Sequence, residues 1–364
     1  MATAGMSLRR SSVIISALFR NASRQKSTIS HQLVVTQYGD PIKSVSMAEE
    51  PLPSLNSNEV KVRMLATTVN PADINTIQGS YAVKPNIPFV GGNEGVGEVI
   101  EVGSDVTQLK VGDKVLPAIN AWGTWRTYAV CPQNHVFKIN PNLSPVEATT
   151  MSVNPCTAYR MLKDFVSLKS GDVVIQNGAN SAVGQSVIQM CKAWGLKSVN
   201  IVRNRPNIEE LKRELQELGA HVVLTEEELR TTEVFKSKQL SRPLLGLNCV
   251  GGKNALEVTR QLGNKGTMVT YGGMSREPLM VPVSALIFKD QRFVGYWMTR
   301  WNKENQGNEN WENMYDNIAT MIIEKKLAPP KHKLVPFTQF KEAIENALSP
   351  KGFIGYKYIL DMQK

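Results

Sequence analysis

Three short stretches hold residues whose types and spacing could do chemistry. The run NGANSAVGQ (177–185) stands where a β-branched stretch gives way to a helical pattern. Gly178 and Gly184 bracket Ala179, Asn180, Ser181 and Ala182 there. A tight small-residue turn of this kind lets a pyrophosphate rest on the free N–H groups of a helix start, although an ordinary strand-to-helix loop has the same look. About 20 residues on, where a dinucleotide fold reads the ribose, VRNRP (202–206) offers Arg203 and Arg205 and no acid. An acid there would bind the ribose hydroxyls of NAD. Two guanidiniums suit a 2′-phosphate, which they can hold with forked, charge-assisted bonds. The two stretches together predict NADPH as the cofactor. The third stretch, IQGSYAVKPNIPFVGGNEGVG (77–97), carries Tyr81. Its phenol can hydrogen-bond a developing oxyanion and then give up a proton. Position alone leaves it equally readable as a packed loop aromatic.

Catalytic zinc needs about three protein ligands from His, Cys and Asp/Glu. His31, His135, His221 and His332 are scattered singly, and Cys131, Cys156, Cys191 and Cys249 form no close pair. No metal is expected. The cysteines read as buried, inert thiols of a reducing compartment. The run YWMTRW (296–301) offers Trp297, Met298 and Trp301 as walls for an apolar chain and Arg300 as a partner for a phosphate. The same cluster also reads as core.

These residues need elements to hold them. Residues 31–150 are rich in short β-like runs such as HQLVVTQY, EVKVRMLATTV, GEVIEVG and DKVLPAI, broken by Gly and Pro at close intervals. That is the pattern of a compact, mostly antiparallel β domain. From Asn154 onward strands alternate with helices. DVVIQNG (172–178) reads as a buried strand, and the helix after it puts Val183, Val187, Ile188, Cys191 and Trp194 on one face. KSVNIVRN is a second strand. NIEELKRELQEL is a second helix, with Asn207 placed to cap, Glu210 to reach back, and Ile208, Leu211, Leu215 and Leu218 as its apolar face. AHVVLT, LLGLNCV, GTMVTYGG and RFVGYWM supply further strands. The class is α/β, with a doubly wound parallel sheet. The tail from Ala328 turns β-like again, and periodicity leaves it either a separate piece or a return to the first domain.

Composition sets outer limits. A chain of 364 residues suggests two domains, and 42% hydrophobic residues can bury a sizeable core. No run reaches the ~18–20 apolar residues of a membrane span. Arg9, Arg10, Arg20, Arg24 and Lys26 fall in residues 1–30 with seven serines and no acid, the composition of a mitochondrial transit peptide. The rest of the chain carries no Lys/Arg run interleaved with aromatics, so a nucleic-acid partner is not expected. Its mild basic excess suits an acidic substrate or carrier.

Asn70-Pro71-Ala72-Asp73, GGNEGVGEVIEVGSDV, LKVGDKV, NGANSAVGQSVIQ and MVTYGGM together resemble the medium-chain dehydrogenase/reductase superfamily. Its zinc alcohol dehydrogenases usually carry His before the glutamate of that second run, where this chain has Asn93. VNPADINTIQGSY, NPCTAYRML, VRNRP, LNCVGGK and TYGGM more closely resemble the zinc-free enoyl-thioester reductases of mitochondrial fatty-acid synthesis, over nearly everything after residue 32. The resemblance implies a GroES-like β-rich catalytic domain from 31–153 with 328–364, and a Rossmann NADP-binding domain over 154–327. It implies NADPH-dependent reduction of trans-2-enoyl thioesters, carried on CoA or acyl carrier protein, in the mitochondrial matrix. Tyr81 would be the proton donor and Asn154 the nicotinamide-side asparagine. Asn180, Ser181, Ala182 and Val183 match the phosphate loop, and Arg203, Asn204 and Arg205 the adenosine-phosphate pocket. Further cofactor contacts fall on Tyr271, Gly272, Gly273, Met274, Tyr296, Trp297, Met298 and Lys357. Homodimers through the nucleotide-binding domain are also implied. One rival is a zinc-free NADPH quinone oxidoreductase, in which Tyr81 has no necessary role. A non-catalytic NADPH-binding protein would keep Arg203 and Arg205 and likewise leave Tyr81 idle.

Overall fold

Runs of alternating burial build the strands of the first half. The computed structural model describes residues 28–348 and 356–363. Its strands begin with β1 (Ile29–Val35), β2 (Val45–Pro51), β3 (Glu59–Thr68), β4 (Phe89–Val90), β5 (Gly95–Val102), β6 (Lys114–Pro117), β7 (Tyr128–Pro132) and β8 (Val136–Lys138). Most of the segment read as a transit peptide, residues 1–27, lies outside the described residues. Ile29 and Ser30, at its end, already belong to β1 and pair with Pro51 and Glu50. β1 lies between β2 and β4 in a small antiparallel sheet. β3 is the longest strand and pairs with both β5 and β7. Its first half alternates, with Val60, Val62 and Met64 inward, and its last five residues, Met64 to Thr68, are all buried. This full burial carries the chain into the interior just before Asn70.

The second half adds β9 (Val173–Asn177), β10 (Lys197–Val202), β11 (Val222–Thr225), β12 (Leu245–Asn248), β13 (Thr267–Thr270) and β14 (Arg292–Gly295). They form one sheet in the order β11-β10-β9-β12-β13-β14, with every pairing parallel. This is the doubly wound order, whose topology reverses between β9 and β12 and opens a crevice at the strand C-termini. β9 is buried along its whole length because helices cover both faces. Val173, Ile175, Val199 and Ile201 are at most 1% exposed, and each such side chain contributes roughly 1.5–3 kcal/mol. The helix Ala182–Ala193 buries Val187, Ile188 and Cys191, while Val183 and Trp194 are partly buried. The helix Ile208–Leu218 buries Leu215 fully and packs Ile208, Leu211 and Leu218 beside it. Asn207 differs from expectation. It precedes this helix at φ −101°, ψ 39° and its side chain makes no capping bond, because capping needs an extended backbone there.

The tail forms β15 (His332–Pro336) and β16 (Lys357–Asp361). β16 pairs with β3, and β15 with β16, so the tail joins the larger sheet of the first half. One continuous core connects the halves, in which Leu65, Val96 and Leu116 meet Met161, Met190, Met314 and Ile318.

Candidate active site

The two halves face each other across a cleft of about 1860 Å³. Its first wall starts at the end of β3. There the helix Pro71–Ile77 begins after Asn70, with Pro71 at its first position, where a missing N–H costs nothing. The helix ends in a turn that returns the Ser80 and Tyr81 amides to the Asn75 carbonyl, at 3.0 and 3.1 Å. Gly79 makes that turn possible with φ +71°, a region glycine enters without steric cost. Tyr81 therefore sits on a loop tied to a helix. Its hydroxyl accepts a hydrogen bond from Trp297 Nε1 at 2.7 Å, and the two rings meet edge to face at 6.0 Å. An indole N–H can only donate. The phenol thus uses a lone pair on Trp297 and keeps its own proton for another acceptor.

Asn93 occupies the position of interest in GGNEGVG. Its amide Nδ2 donates to Asp73 Oδ1 at 2.7 Å, and its Oδ1 accepts from the Ala121 amide at 3.2 Å. Asp73 Oδ2 accepts from the Asn70 amide at 2.7 Å. Burial raises the Asp73 carboxyl to about 6, against the lowering effect of its bonds to Asn70 and Asn93. Asn93 is thereby spent on holding two loops to the helix. Among the described residues, no three His, Cys, Asp or Glu side chains gather as a metal site would require.

Glu94 is fully buried next door. Its Oε2 accepts from Thr68 Oγ1 at 2.9 Å, Asn70 Nδ2 at 3.0 Å and Lys357 Nζ at 3.2 Å. Its Oε1 accepts from the Val153 amide at 2.9 Å and Ser152 Oγ at 3.4 Å. Lys357 also donates to Asn70 Oδ1 at 2.7 Å. Asn154 follows at the start of the helix Asn154–Asp164 and faces the cleft, buried, with an Nδ2 that has no acceptor.

The second wall is the crevice of the parallel sheet. β9 ends at Gly178, which turns at φ +59°. Ser181 then caps the helix Ala182–Ala193 by accepting from the Gly184 amide. Buried amides align the neighbouring strand ends. Asn177 Nδ2 donates to Asn248 Oδ1 and Asn254 Oδ1, each at 2.7 Å, and Asn248 Oδ1 accepts from the Val250 and Gly251 amides. Asn180, Ser181, Ala182 and Val183 line the cleft, as do Tyr271, Gly272, Gly273, Met274, Tyr296, Trp297 and Met298. Arg203 and Arg205 line it too, and neither has a carboxylate partner among the described residues. Burial first, and then the Arg203 charge, lower the Arg205 guanidinium below its usual range.

Asn204 is exposed and, unlike its neighbours, does not line the cleft. Two further expectations fail. Trp301 does not line the cleft; it packs against the core with the Arg160 guanidinium 4.4 Å over its ring. Arg300 is exposed above Trp297, outside the cleft lining. The Cys131, Cys156, Cys191 and Cys249 thiols are all buried, and burial raises each one. Sequence reading missed the Glu94–Lys357 pair and the asparagine cluster at the strand ends. Only Asn70 and Asp73 left a local signal, the Asn-Pro-x-Asp spacing of a capped helix start.

A donor-rich helix start, two guanidiniums with no carboxylate partner among the described residues and an unsatisfied buried amide fit a phosphorylated dinucleotide. Residues 56–141 match the alcohol dehydrogenase GroES-like domain, and residues 182–320 match a zinc-binding dehydrogenase domain. The human mitochondrial enoyl-[acyl-carrier-protein] reductase is 46% identical, over 91% of this chain and 88% of its own length. A solved Etr1p/NADP/crotonyl-CoA complex is 34% identical with a TM-score of 0.85, over 92% of this chain and all of that one. The mitochondrial 2-enoyl thioester reductase Etr1p/Etr2p heterodimer from Candida tropicalis matches with the same identity, TM-score and coverage. A Bacillus thuringiensis NADPH:quinone reductase, 24% identical with a TM-score of 0.81, shares the fold over 92% of this chain and 99% of its own.

Proposed function

Since the chain belongs to the mitochondrial enoyl-[acyl-carrier-protein] reductase family of the medium-chain dehydrogenase/reductase superfamily, we propose how its own residues carry out that family's reaction. The protein reduces trans-2-enoyl thioesters to saturated acyl thioesters with NADPH. When bound, NADPH supplies the hydride for the electrophilic β carbon. Negative charge then spreads over the α carbon and the thioester oxygen. Tyr81 stabilises that oxygen and protonates the α carbon. Trp297 fixes the phenol by one lone pair and leaves its proton to give. The observation that carries this reading is the Trp297–Tyr81 bond inside the cleft.

In this reading Arg203 and Arg205 take the 2′-phosphate, and Asn180 to Val183 the pyrophosphate. Asn154, Lys357 and the runs 271–274 and 296–298 hold the rest of the dinucleotide. Asn204 contributes at most its backbone. The substrate rides on CoA or on acyl carrier protein. The GroES-like unit takes in β1 to β8 with the tail, and the Rossmann unit starts at Asn154. The protein is mitochondrial, as its relatives are, and works in the matrix. It forms a homodimer through the exposed apolar helix Val283–Ile287 beside the edge strand β14. Val283, Ile287 and Phe288 there are 67, 66 and 80% exposed, and such a contiguous patch marks an interface.

The test is loss of NADPH absorbance in the near ultraviolet with a trans-2-enoyl-CoA, for the parent and Tyr81→Phe. Turnover in the parent with a fall of about a hundredfold or more in the variant is expected. Equal turnover in both removes Tyr81 from its role.

A further inference from the structure

We propose that Glu94 is a positioning residue that sets two cofactor-facing donors, the Lys357 ammonium and the Asn154 amide, in one fixed arrangement. The inference rests on the cofactor reading above and adds to it a residue that itself does not line the cleft. Glu94 is 0% exposed and Lys357 5%. Its two oxygens face opposite ways. Oε2 gathers Thr68, Asn70 and Lys357, while Oε1 gathers the Ser152 hydroxyl and the Val153 amide. One carboxylate therefore pins the end of β3, the start of β16 and the two residues that lead into the helix Asn154–Asp164.

Both clamped groups have unused donors. An ammonium carries three protons, and Lys357 places two, on Asn70 Oδ1 and Glu94 Oε2. Asn154 Nδ2 has none of its hydrogens placed, although the residue is only 9% exposed. Both residues line the cleft. A buried donor without an acceptor is costly, so these two point to an acceptor brought by a ligand. Stability alone is a weak reason for the pair, since apolar residues of like volume often replace a buried ion pair without loss.

Glu94→Gln tests this. A glutamine amide turns N–H hydrogens toward one of the two donor groups, whichever way it is placed, so the clamp must loosen on one side. The expected result is cooperative unfolding as in the parent, an NADPH KM raised about tenfold or more, and a kcat and enoyl-CoA KM within about threefold. A purely structural role would weaken both substrates alike. If Glu94→Gln does not fold cooperatively, Glu94→Asp, which keeps the counter-charge of Lys357 but is one methylene too short to reach both donor groups, replaces it with the same NADPH-selective loss expected. An unaltered NADPH KM, or equal weakening of both substrates, overturns the proposal in either variant. Arg203→Ala in the same assay separates the two levels. If it raises the NADPH KM and the Glu94 variants do not, the cofactor reading stands and the clamp falls. If neither does, the cofactor reading falls with it.

Discussion

Trp297 and Tyr81, 216 positions apart in the chain, are joined by an indole-to-phenol hydrogen bond of 2.7 Å. The bond settles what the phenol can still do. Its lone pair is partly occupied and its proton is not, so it is set up as a donor. Trp297→Phe keeps a ring at the site and removes the N–H. The kcat should fall about tenfold, the scale of one well-placed hydrogen bond. Steady-state kinetics check this, and an unaffected kcat shows that the phenol needs no such anchor.

Arg203 and Arg205 should set the choice between NADPH and NADH. Each charge-assisted bond to a phosphate is worth about 1.5–3 kcal/mol. Arg203→Ala and Arg205→Ala should each raise the NADPH KM about tenfold or more and leave the NADH KM nearly unchanged. The parent's preference should also weaken with added salt, as screening predicts. Equal losses with both cofactors would place the arginines elsewhere in binding.

Asp73 makes stability depend on pH in a stated direction. Burial raises its carboxyl from 3.8 to about 6 in the folded protein. The folded state therefore binds the proton more tightly than the unfolded chain. The stabilisation is fully present below about pH 4 and is lost as pH rises through about 6. It amounts to about 3 kcal/mol at 1.36 kcal/mol per unit. Asp73→Asn lacks this titration, but it turns N–H groups toward the Asn70 or Asn93 donors and is less stable throughout. Urea unfolding should find the parent's advantage over Asp73→Asn shrinking between pH 4 and pH 7. An advantage that grows over that range contradicts the raised carboxyl.

The Phe288 patch predicts assembly. Ile287→Asp/Phe288→Asp should roughly halve the particle mass by sedimentation while the far-UV spectrum stays the same. A parent that already sediments at the mass of one chain, 40.3 kDa, removes the homodimer.

The nucleotide half was readable because its signals are local. β9 and β10 are apolar runs ending at punctuation, and Arg203 stands directly after a strand, where the fold needs a phosphate partner. That the sheet is parallel and doubly wound followed from the alternation of strands and helices. The site between the halves was harder to read. Glu94 meets Lys357 across 263 positions, and no periodicity encodes such a meeting. Trp297 could be read as a pocket wall, but its contact with Tyr81 depends on how the two halves are set against each other. Trp301 misled for the same reason. It lies one helical turn beyond Trp297, and that spacing does not say that it turns away toward Arg160. Asn207 misled locally, since residue type suggests a cap and only the backbone angle decides.

β16 lies between β3 and β15, not at the sheet's rim. During synthesis β3 leaves the ribosome about 290 residues ahead of its partner along that edge. Until then the Ala66–Thr68 end of β3 keeps open amides and carbonyls beyond its pairing with β7, the kind of edge on which chains stick to one another. Glu94 likewise waits in the interior without its counter-ion. The nascent protein can complete its parallel sheet well before it closes the other one. A message cut short ahead of codon 357 thus yields a chain with a finished dinucleotide fold and an open, aggregation-prone face.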